Sequence, residues 1–415
     1  MEILEFYLYI AFGLPTWTLV DGTWAVLSQL ADTLPEGYNI SAYLILSLTL
    51  GNIFPLVIGF MLRKTSFSYL AQVINVILAT GLITGVLMGA VWNRVVTIGD
   101  SEVSLPIFLL FFIVGGCSSS SNVTHFTYVS KSEAKNTTAL ATGMGLGSMT
   151  AGILALFQGL LLHQYGFSVT IFYIVLAMLY VPALFAFAKL HSTHRQEFIE
   201  ESSSSNPIST EFMTDVSSRD LEATDFENMP VDTEMKLKNF DAQYSESSFL
   251  RLHGGILALQ LVNSSLGYGF VPALISSACG KFNNASLVLL LATGITAVLD
   301  PMFKFLTNYT RFETFGALKV ATCVLVCLTI GLVLCAALPG DLSLYRGSGG
   351  VLPVALYVSF GALFGFTNTS VFRYFKSTVS PRFVHHSYRW SGICSQAGAL
   401  LGSLIAFLIV VTGAL

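Results

Sequence analysis

Two carboxylates, Asp21 and Asp300, stand inside long apolar stretches of this chain. An acid in hydrocarbon is costly, so each must face a water-filled cavity, a partner helix or a ligand. The functional reading is a solute contact or a proton-binding coupling group. The competing reading is a structural acid bonded to a neighbouring helix. Lys304 follows Asp300 by four residues, one helical turn, and is placed to pair with it. Amides accompany the acids: Asn52, Asn122, Asn263, Asn368 and Gln396 all fall in apolar blocks. A carboxamide has more hydrogen-bonding sites than its own helix backbone can fill, so it needs a neighbour, a water or a ligand. Trp17 lies too deep for an interfacial anchor and adds an aromatic face. Trp17, Asp21, Asn52, Asn122, Asn263, Asn368 and Gln396 are therefore the candidate substrate-binding residues. The chemistry they suggest is capture of a flat, neutral, hydrogen-bonding solute. Asp300 and His125 are the candidates for coupling or gating, with a hydrogen-bonded structural histidine as the competing reading of His125. No cluster of Cys, His or carboxylates forms a metal cage, and no nucleophile stands with a base, so neither a cofactor nor an enzyme is expected.

These residues must be positioned by membrane-spanning helices. Of 415 residues, 53% are hydrophobic and only 11% charged, which excludes an ordinary soluble globule. Apolar blocks long enough to cross a hydrocarbon core of ~30 Å are expected over 3–30, 40–61, 68–92, 104–130, 138–161 and 167–190. Five more follow over 249–275, 283–308, 316–338, 352–376 and 390–413. The predicted fold is an all-α polytopic membrane protein of 11 spans, six and then five, in a two-bundle, major-facilitator-like arrangement. Its expected parts are an N-terminal bundle over 1–190, a loop over 191–248 and a C-terminal bundle over 249–415. Thirteen acidic and four basic residues lie between His191 and Leu250, and this serine-rich stretch is expected to be a disordered loop. Seventeen of the 20 Lys and Arg residues lie towards one side, leaving Arg94, Lys281 and Arg346 on the other. That bias predicts a cytoplasmic N-terminus and long loop, and an extracellular C-terminus. With no retention motif at the chain's end, the plasma membrane is the expected location. No basic patch points to nucleic acid; the expected partners are a small solute and the lipid bilayer, with any cytoplasmic partner of the acidic loop unknown. Among the sequons, Asn39 and Asn284 fall on the outer side as candidate glycosylation sites. Of six scattered cysteines, Cys279 and Cys335 fall near outer helix ends, where a disulfide is chemically possible. Pro15, Pro55, Pro272 and Pro301 mark expected hinges, and the glycines of the fifth span read as helix packing.

Several short motifs then resemble the eukaryotic riboflavin transporters. Trp17-x-x-x-Asp21-Gly22-x-Trp24, Leu34-Pro35-Glu36-Gly37-Tyr38 and Asn52-x-x-Pro55-Leu56 are similar to that family's opening. Val123-Thr124 looks like its fourth helix. Gly143-x-Gly145-Leu146 with Ala155-Leu156-Phe157-Gln158-Gly159 looks like its fifth. Gly269-Phe270-Val271-Pro272-Ala273 resembles its seventh helix, and Gln396-x-Gly398-x-Leu400-Leu401-Gly402 its last. The chain departs from the family pattern at Val26 (Glu in the family), Ser28 (Pro), Met144 (an acid), Ile275 (Gln), and at Asp21 and Asp300 (Asn). The resemblance implies import of riboflavin or a related flavin by alternating access. Two alternatives stay open on the residues alone: a nucleoside or nucleobase carrier, and a non-transporting receptor or scaffold.

Overall fold

A computed structural model describes residues 2–61, 67–129, 132, 134–161, 168–204, 246–310, 314–338, 347–379 and 381–413. The helices in chain order are α1 (Glu2–Gly13), α2 (Thr18–Ala25), α3 (Leu27–Thr33), α4 (Ile40–Leu50), α5 (Ile53–Met61) and α6 (Phe67–Val91). A hairpin of β1 (Val96–Ile98) and β2 (Ser101–Val103) follows, then α7 (Leu105–Val129), α8 (Ala134–Leu156), α9 (Val169–Met178) and α10 (Tyr180–Ser204). The second half holds α11 (Glu246–Ser265), α12 (Val271–Gly280), α13 (Ala285–Leu306), α14 (Phe315–Ala337), α15 (Val351–Thr378) and α16 (Pro381–Val411). Among the described residues ten spans are long and apolar enough to cross a bilayer, and α1 with α2, bent by 48°, makes an eleventh if taken as one span.

A proline stands at four of the joints within the spans, while the break between α2 and α3 at Val26 has none. Proline has no N–H to return to the carbonyl four residues earlier. Pro15 lies in the break between α1 and α2, and Pro55 has no N–H for the carbonyl of Gly51, which accepts from Phe54 N at 3.1 Å instead, where α4 gives way to α5. Pro182, which sequence reasoning passed over, does the same to Met178 at the end of α9. Pro272 does so to Tyr268, inside a π-turn over Leu266–Phe270. Pro301 is carried within α13 without a break.

Three features differ from expectation. The sixth span continues as α10 to Ser204, past the expected end at 190, because His191–Ser204 contains neither Gly nor Pro. Residues 205–245 of the acidic stretch lie outside the described residues, as do Arg63, Lys64, Lys131, Arg219, Lys236, Lys238, Arg311 and Arg346. The β-hairpin was not foreseen; Val96 pairs with Val103 and Ile98 with Ser101 around Gly99, whose φ of 63° suits glycine. Cys279 and Cys335, on the packed helices α12 and α14, are both buried, and no disulfide joins them.

The halves meet along α8 and α13, and where α4 touches α12 and α16. The glycines of α8 divide between two faces. Gly143 and Gly147 bring its backbone against Ile10 and Leu14, so α1 and α8 of the first half lie in close contact. Gly145 and Gly152, and Gly159 in the π-turn Phe157–Leu161 that continues α8, stand seven residues apart and face α13; a Cβ on Gly152 would lie 2.9 Å from that of Ala297.

Candidate functional site

α2 positions the first wall of the site. Trp17, Asp21 and Trp24 are half-buried, while residues 18–20, 22, 23 and 25–28 are buried. Spacings of four and three residues put the three side chains on one stripe; α2 packs on α8 and on α13, and Trp24 touches Phe111 of α7. Ser148 of α8 donates its hydroxyl to the Asp21 carboxylate.

Opposite stands the second half. Lys304 bonds Asp300 at 2.5 Å along α13, with the acid N-terminal to the base, the favourable order for such a pair. Their side chains are 42% and 25% exposed. Asp21, Asp300 and Lys304 lie close enough to feel one another's charge, and Tyr268 lies within the same field. Gly365 of α15 makes room for the pair: a Cβ there would lie 2.5 Å from Asp300 Oδ1.

A ladder of neutral groups adjoins these charges. Asn368 donates Nδ2 to the Tyr268 hydroxyl at 3.1 Å and accepts from Gln260 Nε2 at 2.8 Å. Ser264 donates to Ser395 of α16 at 2.9 Å. The Tyr268 ring stands edge-on to Phe364, centroids 4.8 Å apart, on the π-turn that Pro272 enforces. π-turns inside α-helices recur at functional sites.

The other expected residues distribute unevenly. Asn122 is exposed on α7, three turns from Phe111, which touches Trp24. Gln396 is exposed on the stripe of α16 that further along carries Ser403 and Phe407, both touching α4. Asn52 accepts from Ser119 at 2.6 Å, so part of the serine run ties α7 to the α4–α5 joint. Asn263 is fully buried in α11. His125 is buried against Phe12, rings 4.3 Å apart, with Thr124 Oγ1 3.0 Å from its Nδ1. Asn39 and Asn284 are exposed; Asn39 accepts from Ser277, and Asn284 starts α13 with a φ of 60°. Sequence reasoning missed Gln260, Tyr268 and Ser148 as members of the cluster. Gln260 was findable, since it lies one turn from Asn263 and Ser264. Among the described residues no group of His, Cys, Asp or Glu is arranged to hold a metal.

One end of the cleft is sealed. Ser41 donates to Ala273 O at 2.5 Å, its Oγ lies 2.5 Å from that of Ser276, and Ser276 and Ser277 donate to Tyr38 O at 2.7 and 3.0 Å. Thr49 and Ser403 share a hydrogen bond at 2.9 Å nearer the centre. Towards the other end, α5 packs on α7 and buries no residue.

Two helical halves meeting along α8 and α13 form a two-bundle, major-facilitator-like arrangement. The fold matches the nucleoside transporter NupG with a TM-score of 0.58 at 14% identity, covering 98% of this chain and 91% of that one. It matches a D-xylose–proton symporter with 0.57 at 13% identity, covering 98% and 88%. Residues 1–414 match the profile of solute carrier family 52, riboflavin transporter, and the chain belongs to that family. Relatives include riboflavin transporter member 3-A of Danio rerio, 24% identical over 434 residues (96% of this chain, 94% of the relative). Riboflavin transporter 2 of Salmo salar is 22% identical over 453 residues (99% and 96%).

Proposed function

We propose that the chain carries riboflavin across the plasma membrane by alternating access, with the cleft between its halves as the binding site. What supports this reading is that Asp21 of the first half lies within electrostatic reach of Asp300, Lys304 and Tyr268 of the second, beside the Tyr268–Asn368–Gln260 ladder, in a chain that fits the family along its length. Riboflavin is a flat tricycle with a hydrogen-bonding edge and a polyhydroxyl tail, and aromatic faces beside amides and hydroxyls suit it. The sealed end is the extracellular one on the distribution of Lys and Arg, which makes this the inward-open state. Asp21 serves the solute from the first half, with Trp17, Asn52 and Asn122 along the same wall. Asp300 and Lys304 couple the occupied site to movement of the second half. The family is one of transporters, and the reading requires no chemical step.

The test is uptake of radiolabelled riboflavin by cells or reconstituted vesicles containing the chain, competed with unlabelled flavins and nucleosides. Saturable uptake blocked by flavins supports the reading. Uptake blocked equally by nucleosides, or no flux in vesicles with correctly inserted protein, refutes it.

A further inference from the structure

The ladder in the second half carries unspent hydrogen-bonding capacity. Asn263 has no exposed surface, and neither its Oδ1 nor its Nδ2 meets a hydrogen-bond partner. Gln260 is equally buried; its Nε2 serves Asn368, and its Oε1 meets none. The two lie one helical turn apart on α11, and Asn368 links Gln260 to the half-exposed Tyr268 at the cleft. Buried amide atoms without partners are unfavourable, so a ladder left in this state is poised to take a ligand's polar groups.

Its chemistry is specific. No charge sits on the ladder, so it offers nothing to a phosphate or an ammonium group. It offers an acceptor at Gln260 Oε1 beside a donor and an acceptor at Asn263. An imide edge, C=O, N–H, C=O in one plane, presents acceptor, donor and acceptor in sequence; Gln260 Oε1 can accept its N–H, Asn263 Nδ2 can donate to one carbonyl, and Gln260 Nε2, once released from Asn368, to the other. Tyr268 and Phe364 supply the aromatic surface along which a planar ring would enter.

We infer that Gln260, Asn263 and Asn368 form the subsite that reads the imide edge of a flat heterocycle, accepting its ring N–H at Gln260 and donating to a ring carbonyl from Asn263. This rests on the proposed carrier reading and names the part of the solute that the second half recognises. The Gln260–Asn368 bond opens as the ring enters, so recognition and rearrangement of α11 against α15 occur together. The ring tail is then left towards α2 and Asp21.

The test is a cycle between protein and ligand. Riboflavin and its N3-methyl derivative, which has lost the imide donor, compete for labelled riboflavin uptake in wild type, Gln260→Leu and Asn263→Leu. Methylation is expected to weaken competition at least tenfold in wild type and less than threefold in Gln260→Leu, where the unmethylated ligand has already lost the acceptor for its N–H; Asn263→Leu, which removes a carbonyl's donor and leaves that acceptor, should weaken both ligands and keep the tenfold ratio. A purely structural role of Gln260 lowers both ligands alike and keeps the tenfold ratio in Gln260→Leu, which overturns the assignment. So does a wild-type ratio near one, which needs no variant to be read. Binding to detergent-purified protein, followed by quenching of flavin fluorescence, gives the same ratios for a variant that reaches the surface poorly. Uridine and N3-methyluridine separate this inference from the carrier's flavin preference. If uridine competes as well as riboflavin and pays the same methylation penalty, the imide subsite stands and the flavin reading falls.

Discussion

Replacing Gly365 by Ala separates the site's function from the protein's stability. The new methyl would lie 2.5 Å from Asp300 Oδ1 and 3.4 Å from Lys304 Cγ. Carbon–oxygen contact needs about 3.4 Å, so the carboxylate must move roughly 0.9 Å, enough to break its 2.5 Å bond to Lys304. A hydrogen bond between charged groups is worth about 1.5–3 kcal/mol when buried. With the lysine side chain 42% exposed, the solvent-discounted figure is about 1 kcal/mol. Alanine in a helix interior returns about 0.8–1 kcal/mol relative to glycine. The two nearly cancel, so thermal stability should hold within about 1 kcal/mol, while riboflavin kcat/KM falls about fivefold at matched surface level. Gly392→Ala is the control, because a Cβ there meets nothing within 4 Å. Uptake kinetics and thermal unfolding of purified protein read both quantities. Full transport by Gly365→Ala, alongside a loss in Asp300→Ala, would show that the carboxylate's position is irrelevant and refute the reasoning.

The remaining predictions concern the opposite wall, the seam and the surface. Asp21→Ala should reduce riboflavin uptake about tenfold or more, and Asp21→Asn, which still accepts from Ser148, should reduce it less; wild-type uptake in both removes Asp21 from the site. Gly152→Leu forces a side chain where a Cβ alone meets Ala297 at 2.9 Å, and should cost about 1–3 kcal/mol in a thermal unfolding assay. Asn39→Gln and Asn284→Gln should each remove one glycosidase-sensitive step in gel mobility if the sealed end faces outward; an unglycosylated wild type contradicts the proposed use of these sites.

The spans were legible because lipid demands continuous apolar helices, and the composition states that demand directly. The joints were partly legible: Pro15, Pro55 and Pro272 mark three of them, and Pro182 obeys the same rule at Met178. What the sequence withheld is pairing across the fold. Nothing near Ser148 announces that it meets Asp21, 127 residues away in the chain. Gln260 and Asn368 are 108 residues apart, and only packing of α11 on α15 brings them together. The glycines of α8 read as a packing signal, yet only the geometry shows that alternate ones serve different neighbours. Asn52 illustrates the converse, since its polarity is legible but its bond to Ser119 depends on the joint after Gly51. The short hairpin was missed because strand signals of three residues are weak beside 25-residue apolar runs.

The two-sided use of α8 makes this helix intolerant of length change. One inserted residue would turn everything beyond it by about 100°. An insertion between Gly147 and Gly152 would leave Gly143 and Gly147 seated on α1 and swing Gly152 and Gly159 off α13, placing Ala151 and Gln158 in the crossing. Polypeptide can be added after Ser204 without disturbing either contact, but a single extra peptide unit within this stretch of α8 would unseat the crossing with α13.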